Sequence, residues 1–195
     1  MQWPSSDSDV FEIILARRSV RSYADQTLDR KTIGTLLEAA VRAPTAIHEE
    51  PWMFVVVQDR QLLRRLSDLA KPLFAEEVRR IGVERTANAF EAFASPDFNI
   101  FYDAGTLIVI CAGPVGPFVG ADCWLAAENL MLAACGMGLG SCVIGSSVSA
   151  LNTSEIKTQL GIPADCAAVA PVIVGHPRGK TPATSRREPL VLAWH

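Results

Sequence analysis

The chain has 195 residues, with 18 Lys and Arg against 21 Asp and Glu and a formal net charge of −3. Its pI near 5.6 argues against a protein that works by coating nucleic acid, which calls for a basic domain. Hydrophobic residues make up 49% of the chain and charged ones only 20%; this suits one domain, residues 1–195, with a sizeable core and an apolar surplus that a large oligomeric interface would absorb.

In chain order, Asp9 and Glu12 form a capping-box pattern ahead of "VFEIILARR", predicting a short helix with Phe11, Ile14 and Leu15 on its apolar face and an end near Arg17 or Arg18. Asp29 caps a second helix, "RKTIGTLLEAAVRA", which carries Ile33, Leu36, Leu37, Ala40 and Val41 on one side and stops before Pro44. "TAIHEEP" then reads as a loop and "WMFVVV" (52–57) as a buried strand. Asp59 caps a leucine-bearing helix, with Leu62, Leu63, Leu66, Leu69 and Leu73. The stretch 75–100 reads as helix followed by a lid-like excursion.

"TLIVICA" (106–112) is a second buried strand, and "ADCWLAAENLMLAACG" a helix over roughly 120–135, apolar nearly all round and so expected to be covered on every side. "GSCVIGSS" (140–147) predicts a third strand running into a small-residue loop. Asn152 and Glu155 suggest the cap of a short helix ended by Gly161 and Pro163, "AAVAPVIVGHP" (167–177) a fourth strand, and 186–195 an apolar, extended C-terminal arm. No repeat, low-complexity run or interdomain linker interrupts this order. The alternation of strand and helix leaves two folds open, a doubly wound parallel sheet and an α+β domain with a mixed sheet.

The five cysteines, Cys111, Cys123, Cys135, Cys142 and Cys166, show no C-x-x-C pair and lie among apolar residues, as small buried hydrophobes of a reducing compartment do. With no secretory pattern at the N-terminus and no apolar run of bilayer length, a cytoplasmic protein is expected. The three histidines and the carboxylates lack metal-ligand spacing, so no metal is expected. Ser141 and Ser146 lack a G-x-S-x-G context for a hydrolytic nucleophile.

"RRSVRSY" places Arg17, Arg18, Ser19 and Arg21 where a helix gives way to extended chain. Alternation would point Arg17, Ser19 and Arg21 together and turn Arg18 away. Guanidinium forks with a hydroxyl make a phosphate cradle, and a solvated corner of arginine–carboxylate pairs is the equally weighted alternative. Arg186 and Arg187 strengthen the cradle only if the fold brings them near.

Taken in order, "RRSVRSY", "AAVRAPTAIHEEPWMFVVV", "DAGTLIVICA", "AAENLMLAACGMGLGSCVIG" and "APVIVGHPRG…RRE" resemble the nitroreductase family of FMN-dependent oxidoreductases over about residues 10–190. The resemblance implies an α+β fold with a central, mostly antiparallel mixed sheet flanked by helices, and an intertwined homodimer with FMN at the subunit interface. The implied activity is hydride transfer from NADH or NADPH through flavin N5 to an acceptor such as a nitroaromatic or quinone, with no catalytic side chain. The family's range also includes flavin use in dedicated oxygen-dependent or reductive chemistry, and a non-catalytic flavin-binding protein is a further alternative.

By position, the resemblance assigns Arg17, Arg18, Ser19 and Arg21 to the FMN phosphate and ribityl chain, together with Arg186 or Arg187. Pro44, Thr45, Ala46 and His48 match the loop contributed by the second subunit, and Ile144 and Gly145 the backbone facing the flavin ring, with an N–H near Gly145 directed at N5. The family's usual Pro-Ser-x-x-Asn-x-Gln-Pro-Trp becomes Thr45, His48 and Glu50 in this chain. An ionised, unpaired Glu50 would disfavour an anionic reduced cofactor: one charge pair at roughly 8 Å and an effective dielectric near 20 gives about 2 kcal/mol, or tens of millivolts. A Glu50 paired with His48 or an arginine would instead leave the cofactor untouched.

Overall fold

The computed structural model describes residues 9–81, 93, 95–114 and 116–195. Four strands form one antiparallel sheet in the order β1-β2-β4-β3: β1 Trp52–Val57, β2 Thr106–Ala112, β3 Gly140–Val143 and β4 Ala167–Gly175. Antiparallel pairing throughout rejects the doubly wound option and fits the α+β architecture. β2 pairs Val57↔Leu107 on one side and Thr106↔Val174 on the other, and is buried at every position. β1 lies at the sheet edge, so Met53 and Val56 stay 38% exposed, where a buried strand was expected.

Because successive side chains of a strand face opposite ways, β2 feeds two cores. Leu107, Val109 and Cys111 pack with Leu63, Leu66 and Ala70 of α3 (Arg60–Ile81), with α5 (Val148–Leu151) and with Ile156 of α6 (Ser154–Leu160). Ile108, Ile110 and Ala112 pack with α2 (Arg30–Ala40) and α4 (Val119–Gly136). Each fully buried Leu or Ile contributes about 1.5–3 kcal/mol, so these layers dominate the favourable side of folding.

The caps follow the local chemistry. Asp29 Oδ1 accepts from Thr32 N at 2.7 Å, and Asp59 Oδ1 from Gln61 N and Leu62 N. At α6 the cap is Thr153, whose Oγ1 accepts from Ile156 N, rather than Asn152. Asn152 instead exchanges two hydrogen bonds with the backbone of Ala168 and donates to Val148 O, sewing α5 to β4. Standing one residue before the cap, that amide serves the backbone of β4 instead.

Three further expectations shift. The helix α1 (Val10–Ala16) buries none of its residues, leaving Phe11, Ile14 and Leu15 exposed. Along α4, Asp122, Cys123, Ala126, Ala127 and Leu130 are buried while Trp124 and Leu125 are open, so one side lacks cover within the chain. On α3, Leu69 and Leu73 are more than a third exposed. That helix runs to Ile81 with Pro72 inside it, and most of the expected excursion after it lies outside the described residues. The tail from Pro182 to His195 has no regular secondary structure. Among the described residues no helix is long and apolar enough to cross a membrane.

Candidate functional site

α1 ends at Arg17, and the chain then runs along the free edge of β3. Ser19 forms a parallel bridge with Ser141, and Val20 N donates to Ser141 O at 2.9 Å. This close approach requires a glycine at 140, since a Cβ there would lie 2.8 Å from the Val20 side chain. Tyr23 finishes the segment: its buried hydroxyl donates to Val20 O at 2.8 Å and its backbone bridges Pro177, and burial pushes its phenol far up.

One cleft of about 480 Å³ is lined by Ile14, Leu15, Arg17, Arg18, Ser19, Thr184 and Arg186. The C-terminal basic position therefore does converge on the N-terminal cluster, and it does so through Arg186; Arg187 is exposed and does not line the cleft. Arg18 stands with Arg17 and Ser19, contrary to simple alternation. The segment meets β3 through an isolated bridge at Ser19, just after the helix end, so strand periodicity does not yet govern Arg18. Arg18 Nη1 donates to Leu15 O and, at 2.8 Å, to Arg17 O, capping the free carbonyls of α1. Arg17 Nε lies 3.3 Å from Glu128 Oε1 of α4.

Arg21 departs from the cleft. Its guanidinium carbon sits 5.8 Å from the centre of the Tyr102 ring, near β3. Burial pushes the Cys142 thiol up, an effect opposed by Arg21, the Ser19 hydroxyl and Arg17; Arg21 follows directly on the Val20–Ser141 bond that ties this segment to β3.

β3 leads into Ile144, buried, and Gly145, exposed and with open space where a Cβ would project. Ile144 N donates to Pro171 O at 2.9 Å, fixing the turn to β4, and Ser147 closes it with bonds from N and Oγ to Ile144 O. A flat group could approach this backbone without obstruction from a side chain at 145.

The third group of expected residues, Pro44, Thr45, Ala46 and His48, lies between α2 and β1, where Ala46–His48 forms a 3-10 turn rather than an irregular loop. Ile47, His48 and Glu50 all have positive φ, at 51°, 58° and 45°. Such conformations cost on the order of 1–3 kcal/mol for each non-glycine residue and persist where surrounding contacts over-determine them. One such contact is the buried carboxylate of Asp122, which accepts from Ala46 N at 3.2 Å. Asp122 was overlooked at sequence level, although it is one of only two carboxylates, with Glu128, in an otherwise apolar helix, which was the available signal for both. Glu128 and Tyr102 were overlooked too, and nothing local in the sequence marks Tyr102. Among the described residues no cluster of His, Cys, Asp and Glu could hold a metal ion.

A family model described as the nitroreductase family matches residues 14–176. The chain belongs to that family. A relative from Archaeoglobus fulgidus, named "Putative NADH dehydrogenase/NAD(P)H nitroreductase", is 30% identical over 175 residues, covering 87% of this chain and 86% of the relative. A Bacillus subtilis protein named FMN reductase (NADPH) is 30% identical, covering 90% of this chain and 70% of its own length. Among solved structures, a Bacteroides fragilis nitroreductase with bound FMN superposes with a TM-score of 0.79 at 28% identity, covering 95% of this chain and 97% of that one. The nitroreductase fold thus extends over nearly the whole chain.

Proposed function

We propose that this nitroreductase-family chain is an FMN-dependent oxidoreductase that takes reducing equivalents from NADH or NADPH and passes them to a small acceptor such as a nitroaromatic or a quinone. The observation that carries the reading is the convergence of Arg17, Arg18, Ser19, Thr184 and Arg186 on one cleft from opposite ends of the chain. Three guanidinium groups and two hydroxyls are the donor set a phosphate monoester dianion needs. The open backbone at Gly145 suits a flat ring system, so the residues present fit the cofactor.

When bound, FMN supplies the hydride chemistry that no side chain here is equipped to perform. The chain's own part is to neutralise the phosphate at Arg17, Arg18 and Arg186, to place Arg21 toward the ring end, and to present the Ile144–Gly145 backbone as a donor surface without a bulky side chain. Arg17 is held in place by Glu128 and Arg18 by the α1 carbonyls, so less side-chain freedom is lost on binding.

The working form is proposed to be a homodimer whose partner covers the exposed faces of α1 and α4 and receives the C-terminal arm, with Pro44, Thr45, Ala46 and His48 serving the second subunit's site. The five unpaired cysteines fit a cytoplasmic location.

The test is a visible spectrum and an anaerobic titration. Purified protein is expected to be yellow or to take up added FMN, to bleach with NADH or NADPH, and to recolour with a nitroaromatic or quinone. A colourless preparation that ignores added FMN would sink the assignment; a yellow one that neither reductant bleaches would point to a dedicated reductant or to binding without turnover.

A further inference from the structure

Between α3 and β2 the chain makes a turn at Asn99–Asp103 that none of the expected site residues touches in sequence. Tyr102 and Asp103 both adopt positive φ, 52° and 54°, two consecutive non-glycine residues in the left-handed region. The turn is pinned from three directions. Asn99 Nδ2 donates to Asp103 Oδ1 at 2.8 Å, and Asn99 Oδ1 accepts from Phe101 N at 3.0 Å. Ile100 N donates to the fully buried Ser67 Oγ of α3 at 3.0 Å, and Phe101 fills the core beneath. An unfavourable conformation held this firmly has a structural product, and that product is the placement of the Tyr102 ring.

The ring has two neighbours. On one side Phe98 meets it edge-to-face at 5.6 Å, with Phe93 a further 5.3 Å from Phe98 and Phe74 of α3 5.3 Å from Phe93. On the other, the Arg21 guanidinium lies over it at 5.8 Å, within the range of a cation–π contact. Neither Arg21 nor Tyr102 is held by a salt bridge among the described residues, whereas Arg17 has Glu128.

We propose that Tyr102 is a positioning residue for the cofactor site: the pinned turn presents its ring as a fixed plate that holds the Arg21 guanidinium beside β3, where that charge meets the bound flavin nucleotide. The inference rests on the FMN reading above and adds to it a residue distant in sequence from every assigned segment. The ring acts through its π face, so phenylalanine can replace tyrosine but leucine cannot, although leucine fills similar space against Phe98.

The experiment is a set of FMN dissociation constants, from flavin fluorescence quenching, for the parent, Tyr102→Phe, Tyr102→Leu, Arg21→Ala and Arg21→Ala/Tyr102→Leu, with thermal melts to confirm folding. Tyr102→Phe is expected within twofold of the parent and Tyr102→Leu weaker by about two- to fivefold, the size of an exposed cation–π contact. The double variant should bind no worse than Arg21→Ala alone, because the plate has nothing left to hold. A merely structural role predicts the opposite, a loss from Tyr102→Leu that persists when Arg21 is gone. That result, or a Tyr102→Leu variant with parental affinity, overturns the proposal. If the parent itself takes up no FMN, the functional reading fails first and this inference falls with it.

Discussion

Arg186 and Arg187 are adjacent and chemically identical, and only one of them lines the cleft. A guanidinium bound to phosphate contributes a charge-assisted hydrogen bond of about 1.5–3 kcal/mol, so Arg186→Ala should weaken FMN binding roughly ten- to a hundredfold. Arg187→Ala should stay within about twofold, and fluorescence titration reads both. Glu50 carries a prediction of the same scale. It is exposed, and among the described residues no ion pair engages it. Glu50→Gln is therefore expected to raise the midpoint potential of bound FMN by tens of millivolts, measured by anaerobic dye equilibration, and an unchanged potential would show that the charge does not reach the cofactor. At this scale the sequence told a partial story. It marked the arginines as a group because three of them surround a serine, but which ones share a cleft depends on where α1 ends and on a single bridge at Ser19, and a periodicity argument cannot see either.

Elements were more legible than sites, because hydrophobic period and caps act locally. The strands β1 to β4 and the Asp29 and Asp59 caps could be read from the chain alone, whereas Asn152 could not, since its partners Ala168 and Val148 are set by the tertiary fold. That difference has a measurable size. Thr153→Ala removes one cap bond and should cost about 1 kcal/mol, while Asn152→Ala strands several half-buried backbone groups and should cost about 2–3 kcal/mol, both readable as shifts in urea midpoint.

Burial on the two faces of β2, Cys111 on the α3 side and Cys123 of α4 on the other, adds a pH dependence. Burial pushes the Cys111 thiol up to about 11 and the Cys123 thiol up to about 12, against an ordinary value of 9.0. Above about pH 9 the unfolded chain loses thiol protons that the folded protein keeps, so stability is full below that pH and declines as pH rises toward 11 and 12. The urea midpoint should therefore hold steady up to about pH 9 and fall beyond it. A Cys111→Ala/Cys123→Ala variant should start lower, from lost packing, yet decline less steeply; the buried Tyr23 phenol, raised in the same direction, keeps some of the slope.

At the scale of the whole molecule the surface is unfinished for a chain on its own. Phe11 and Leu15 of α1 are 69% and 74% exposed, Trp124 and Leu125 of α4 are nearly half exposed, and in the C-terminal arm Leu192 and Trp194 are 91% and 89% exposed. The apolar surplus was visible in the composition, but its distribution over three separate elements was not, because helical periodicity identifies an apolar face without naming what covers it. If a second copy covers these faces, the protein should sediment as a dimer at micromolar concentration. Trp124→Glu/Leu125→Glu places two carboxylates on the open side of α4 and should shift it to monomer, since burying unpaired charge costs far more than an interface recovers. Cofactor binding should fall with it. The loop at Thr45–His48 hangs from Asp122 on the same helix, and in the proposed arrangement it serves the partner's site rather than its own. The monomeric variant is thus expected to bind FMN at least tenfold more weakly while the cleft of Arg17, Arg18 and Arg186 stays intact. A monomer with full FMN affinity would mean that each subunit completes its own site, and the strained turn at Ile47 and His48 would then need another explanation.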